Sequence, residues 1–127
     1  MARLEHANIT VSDLDATADR LCELFGWRRR WEGASIHGGR SIHVGGANDY
    51  LAIYSRGDEG GAPKAPDSYG HVGALNHIGV VVEDLDAVER KVVSIGLTPH
   101  SHADYEPGRR FYFDDPDGIE FEVVQYD

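Results

Sequence analysis

Residues 4–16 read LEHANITVSDLDA, and residues 75–87 read LNHIGVVVEDLDA. At a constant offset of 71, Leu4 matches Leu75, His6 matches His77 and Val11 matches Val82; Asp13-Leu14-Asp15-Ala16 then matches Asp84-Leu85-Asp86-Ala87. A shared tetrapeptide is weak by itself. A histidine, an apolar alternation and a helix start kept in register make the two stretches copies of one module. Each copy opens on a period-two apolar stretch, the pattern of a half-buried strand. In the second copy Ile78, Val80 and Val82 fall on one face and Leu75, His77, Gly79 and Val81 on the other. In the first, Ile9 and Val11 oppose His6, Asn8 and Thr10. His6 and His77 therefore take the same position on the same face of equivalent strands.

Working outward, Ser12 or Asp13 caps a helix whose apolar residues Leu14, Ala18, Leu21, Cys22 and Phe25 keep the 3.6-residue period, with Gly26 as the stop. Asp84 caps the second helix, with Leu85, Val88, Val92 and Ile95 on one stripe and Gly96 ending it. The remainder reads as strands at Trp27–Glu32, Ser35–Val44 and Tyr50–Ser55, then at Thr98–His102, Arg109–Phe113 and Ile119–Tyr126. Asp115-Pro116-Asp117-Gly118 is a turn. The expected fold class is α+β: two tandem βαβββ modules, at residues 3–56 and 75–127, forming a curved mixed sheet around a cleft. The Gly- and Pro-rich stretch 57–74 is expected to be a linker.

The chain's 127 residues suit a single domain. Hydrophobic residues at 41% and charged residues at 27% are ordinary for a globular chain. A formal charge of -10 repels phosphate backbones and anionic lipid, so neither nucleic acid nor membrane is an expected partner. No apolar run is long enough to span a bilayer, and the first residues lack the apolar core of a signal peptide, so a cytoplasmic location is expected. The single cysteine, Cys22, rules out an internal disulfide framework and is read as core. Seven histidines beside an acid excess suit a site that holds a cation.

If the modules superpose, aligning Asn48–Ile53 on Gly118–Val123 sets Ala52 opposite Glu122. His6, Ala52, His77 and Glu122 then face one cleft, and three of them can bind a metal. Two imidazoles and a carboxylate suit Fe(II), Mn(II), Ni(II) or Zn(II), with coordination positions left for a small-molecule substrate. Periodicity leaves the acid open, because Glu120 has the same parity as Glu122.

From Leu4-Glu5-His6 through Leu75-Asn76-His77 to Asp115-Pro116-Asp117-Gly118 and Glu122, the chain resembles the vicinal oxygen chelate superfamily. That superfamily includes glyoxalase I, extradiol dioxygenases, fosfomycin-resistance thiol transferases and bleomycin-binding proteins. The resemblance selects Glu122 over Glu120 and implies His6, His77 and Glu122 as ligands of a divalent metal ion. It also implies a homodimer. Ala52 departs from glyoxalase I, which supplies a glutamate ligand there. No Lys or Arg follows Arg110, unlike the fosfomycin enzymes. The segment His102–Glu122 resembles the extradiol signature: Phe111-Tyr112, Asp115-Pro116, Gly118 and Glu122 fit, while His102 lies one residue too far from Phe111. Tyr112 and His102 are the expected acid–base pair.

The expected function is a metal-dependent, dioxygenase-like enzyme acting on a small substrate with vicinal oxygens. The alternatives are a glyoxalase I-like lyase or thiol transferase, and a metal-free drug-binding protein walled by Trp27, Trp31, Tyr50 and Tyr112. Arg28-Arg29-Arg30 is read as a charged edge strand. His37, His43 and His71 are expected in loops or on the surface. His100 is expected to share a face with His102, and Arg110 and Tyr105 are possible cleft residues.

Overall fold

The computed structural model describes residues 1–58 and 61–127. In chain order the elements are β1 (His6–Thr10), α1 (Leu14–Phe25), β2 (Arg28–Ala34), β3 (Arg40–Gly45), β4 (Tyr50–Ser55), β5 (Ile78–Val81), α2 (Leu85–Ser94), β6 (His100–Tyr105), β7 (Gly108–Asp114) and β8 (Glu120–Tyr126). The βαβββ order thus occurs twice. It builds two four-stranded mixed sheets, ordered β1-β4-β3-β2 and β5-β8-β7-β6. In each, the first strand pairs parallel with the last and the other pairs are antiparallel. The chain divides into two compact units, Met1–Pro63 and Lys64–Asp127. No helix among the described residues is long and apolar enough to cross a membrane.

In the first unit the alternation buries Val11, Ile42, Val44, Leu51 and Ile53, together with Ala18, Leu21 and Leu24 of α1. The Asp13 carboxylate starts α1 by accepting from the Ala16 amide at 3.1 Å, satisfying a donor that has no intrahelical partner. Gly26 ends it in the left-handed region, at φ 69, where a side chain would be strained. The buried stripe runs through Thr17, Ala18, Leu21 and Leu24. Cys22 and Phe25, read as stripe residues, are only half-buried; the stripe centres about a third of a turn away from Cys22, and Phe25 lies at the helix end. The edge strand β2 is tied to α1 by Arg29, whose guanidinium reaches Asp15 at 3.0 Å and Asp19 at 2.9 Å.

The second unit repeats these devices with a more aromatic core. Phe111, Phe113, Phe121 and Val123 are fully buried with Val92 of α2. Phe113 stacks on Phe121 at 5.2 Å and 10°. Burying one phenylalanine side chain contributes about 1.5–3 kcal/mol, so the trio supplies about 4.5–9 kcal/mol of the unit's apolar stabilisation. Asp84 caps α2, accepting from the Ala87 amide at 3.0 Å. The Asp115 carboxylate accepts from the amides of Asp117 and Ile119, each at 2.9 Å, and so closes the turn into β8.

Two register features position the candidate site. Asn8 pairs with Ala52 in the first unit, and Gly79 pairs with Glu122 in the second. Since Asn8 and Gly79 are equivalent in the repeat, Ala52 and Glu122 are equivalent too. The other feature is a bulge in β6: His100 pairs with Tyr112 and Ala103 with Arg110, so Ser101 and His102 together oppose Phe111. Ser101 takes a left-handed φ of 56 there.

Candidate functional site

Alternation along β7 and β8 turns Phe111, Phe113, Phe121 and Val123 into the core. It thereby sends Arg110, Tyr112, Asp114, Glu120 and Glu122 to the opposite, open face. His77, just before β5, joins them. Its Nε2 lies 3.8 Å from Glu122 Oε2. The Tyr112 hydroxyl donates to that same oxygen. Arg110 Nη1 sits 3.5 Å from the other, Glu122 Oε1.

The far side of His77 is held by Tyr69, from a segment expected to be linker. The Tyr69 hydroxyl donates to Glu120 Oε1 at 2.5 Å and lies 3.1 Å from His77 Nδ1. A phenol has one proton, and Glu120 receives it. His77 Nδ1 must therefore be the protonated nitrogen, donating to the Tyr69 oxygen. Nε2 is left as a lone pair aimed at Glu122. As the neutral imidazole, His77 thus presents Nε2 toward Glu122 Oε2 at 3.8 Å while an oxygen holds its Nδ1, the arrangement that metal-binding histidines adopt.

Both phenols stay protonated at neutral pH. The hydrogen bond to Glu122, then burial and the Glu122 charge, push the Tyr112 hydroxyl up to about 12. The bond to Glu120, with burial and the charges of Glu120, Glu122 and Asp114, does the same for Tyr69, also to about 12. Arg110 offsets part of the acidity. Its guanidinium lies 4.5 Å over the Tyr105 ring, Nη2 donates to the Gly108 carbonyl at 3.2 Å, and Nε has no partner.

The open face of the first unit is aromatic. The His6 ring stacks on Tyr50 at 4.8 Å and 9°, Tyr50 stacks on His43 at 4.4 Å, and His43 meets Trp31 at 4.9 Å. His6 comes from β1 and His43 from β3, on either side of β4, so Tyr50 separates the two imidazoles. The Arg30 guanidinium lies 4.7 Å from the Tyr50 ring. Ala52, flanked in register by Asn8 and His43, is buried and supplies no fourth ligand. Burial, then the charges of His6 and Arg30, lower the His43 pKa against a smaller opposing pull from Glu5.

The structure brings His77, Glu122 and Tyr112 together and places His6 on the aromatic face of the first unit. His102 is directed elsewhere. The bulge turns it toward α2, where Nε2 meets Glu89 Oε2 at 3.0 Å and the ring stacks on core Phe111. The expectation that His100 and His102 share a face is corrected for the same reason: one extra residue inverts the alternation. Trp27 packs on Phe25, outside the aromatic row, and His43 is a strand residue rather than a loop one. Sequence reading missed Tyr69 and set Glu120 aside. The parity of Glu120 was a usable signal; Tyr69 had none.

Two tandem βαβββ modules, each building a four-stranded mixed sheet, define the fold class of this chain. The profile of the Glyoxalase/Bleomycin resistance protein/Dioxygenase superfamily matches residues 3–123, and the chain belongs to that superfamily. No curated protein matches it. Among solved structures, a glyoxylase/bleomycin resistance protein/dioxygenase domain from Frankia sp. EAN1pec superposes with a TM-score of 0.82 at 21% identity, covering 100% of this chain and 99% of that one. TnmS3, an antibiotic binding protein from Streptomyces sp. CB03234, gives 0.75 at 21%, covering 100% and 98%. The trypanothione-dependent glyoxalase I of Leishmania major gives 0.75 at 21%, covering 98% and 87%. At such identities these likenesses speak to the fold alone.

Proposed function

We propose that this chain is a metal-dependent enzyme of the superfamily, acting on a small substrate with vicinal oxygens through a dioxygenase-like set of two histidines and one carboxylate. His77 and Glu122 supply two ligands, and His6, at the repeat-equivalent position, supplies the third. The donor chemistry suits Fe(II), Mn(II), Ni(II) or Zn(II). The observation that carries the reading is the His77 Nε2 lone pair held toward Glu122 Oε2 at 3.8 Å by the Tyr69–Glu120 relay.

When bound, the ion would supply Lewis-acid chelation of two substrate oxygens. The protein's own groups do the rest. Tyr112, whose single hydroxyl proton is donated to Glu122 in this structure, would serve as the proton donor by turning that proton to a substrate oxygen. Arg110 offsets negative charge beside Glu122. Ala52 leaves no second carboxylate to shuttle a proton, which favours oxygenation over a glyoxalase I-like lyase or a thiol transfer. The homodimer belongs to this reading and predicts twice the chain mass in sedimentation.

The test is elemental analysis of anaerobically purified protein beside Glu122→Ala, followed by oxygen uptake with catechols. One iron per chain, lost in the variant, with catechol-dependent uptake is the expected result. An iron content undiminished by Glu122→Ala refutes the ligand assignment. Anaerobic turnover of a glutathione hemithioacetal would move the assignment to a lyase.

The His6–Tyr50–His43–Trp31 row favours a second reading, metal-free binding of a flat aromatic molecule. Ligand-dependent quenching of tryptophan fluorescence, unchanged after chelator treatment and abolished by Trp31→Ala, would establish it.

A further inference from the structure

The bulge in β6 sets up a second group of donors. With Ser101 and His102 together opposite Phe111, His100 stays on the open face, its ring stacked on Tyr112 at 6.2 Å. His100 Nδ1 is engaged by the Ser101 hydroxyl at 2.9 Å. Nε2 is buried and has no hydrogen-bond partner, and Asp114 Oδ2 lies 3.5 Å from it, beyond hydrogen-bond contact.

Asp114 and Glu120 face each other directly across β7 and β8. Like charges in that position repel, and no lysine or arginine pairs with either acid among the described residues. Tyr69 occupies Glu120 Oε1, leaving the other carboxylate oxygen available. One donor atom from each of His100, Asp114 and Glu120 lies within 4.8 Å of the others. An imidazole nitrogen that makes no hydrogen bond, converging with two carboxylates that no lysine or arginine among the described residues neutralises, is a donor set suited to a cation.

We infer that His100, Asp114 and Glu120 form a second divalent-cation site beside that of His77 and Glu122, Glu120 Oε1 lying 3.7 Å from His77 Nδ1. One nitrogen and two oxygens suit a first-row ion on the hard side, such as Mn(II), with its other positions open to water or to substrate oxygens. Asp114 is the accessible member, so the ion enters from the open face.

Mn²⁺ titration of the metal-stripped full chain, followed by the EPR signal of free ion, tests this. The Glu122→Ala variant is expected to keep one tight Mn²⁺ equivalent, and adding His100→Gln and Asp114→Asn to it is expected to abolish that equivalent. His100→Gln/Asp114→Asn alone keeps the Glu122-dependent ion; if that ion is missing, the proposed catalytic site fails while this inference stands. Unchanged Mn²⁺ binding in the triple variant would overturn the inference. So would binding in Glu122→Ala weaker than about 1 mM. Asp114→Asn alone, at an exposed position, keeps the fold by circular dichroism and should weaken binding at least tenfold.

Discussion

In the proposed site Arg110 and a cation would compete for one carboxylate, which makes Arg110→Met a quantitative probe of that proposal. The guanidinium and Glu122 are 3.5 Å apart, with side chains 10% and 16% exposed. Unit charges at that distance interact by about 5 kcal/mol at an effective dielectric near 20. Desolvation of both partners returns much of this, and the Tyr112 hydrogen bond survives the substitution, so the net loss in the metal-free protein should be about 1–3 kcal/mol. A cation entering the wild-type site must overcome the same net attraction. The substitution should therefore tighten the Glu122-dependent ion about tenfold or more, one decade per 1.4 kcal/mol. Chemical denaturation with chelator gives the first quantity and isothermal titration with Zn²⁺ the second. The His100→Gln/Asp114→Asn background isolates the site. Lower metal-free stability with unchanged or weaker Zn²⁺ affinity would refute the competition argument. No change in either would remove the Arg110–Glu122 pair from the energetics altogether.

Phe113→Ala, at a fully buried position stacked on Phe121, should cost about 3–5 kcal/mol in denaturation, against under about 1.5 kcal/mol for Phe113→Leu if the core repacks. Gly108→Ala should disrupt the β7–β8 pairing, because a Cβ there collides with the Gln125 carbonyl and the Tyr126 Cα, backbone atoms that cannot turn aside; retained Tm would contradict it. His43 is held below its ordinary pKa by burial first, then by His6 and Arg30. Below the unfolded-state value near 6.5 the unfolded chain binds more protons, so this group's contribution is full at pH 8 and falls as pH drops through 6.5. The loss of Tm between pH 7.5 and 5 should accordingly be smaller in His43→Gln than in wild type. Asp13→Ala and Asp84→Ala should each cost about 1 kcal/mol through loss of a helix cap, measurable as a Tm decrease in either variant.

Some of the site was legible before any coordinates because it rides on local periodicity. A strand shows alternate residues on alternate faces, and an exact 71-residue offset carries one module's pattern onto the other. That sufficed to equate His6 with His77 and Ala52 with Glu122, and the parallel registers bear out the second equivalence. The helix starts were legible for a similar reason, since Asp13 and Asp84 act on amides three residues away.

The remainder depended on chain segments distant in sequence. Tyr69 sits in a Gly- and Pro-rich stretch without periodicity, and it reaches Glu120 only because the fold returns β8 to that place. His100 and His102 look equivalent by parity until one extra residue at Ser101 inverts the alternation. Asp114 and Glu120 become neighbours through the β7–β8 register. The sequence by itself determined the repeat, the strands, the capped helices and the faces of regular strands, because those follow from interactions within a few residues. Only the tertiary structure decided which way the bulged strand aims its histidines, and which acids stand close enough to repel. Both depend on cross-strand pairing, where a slip of one residue exchanges one face for the other.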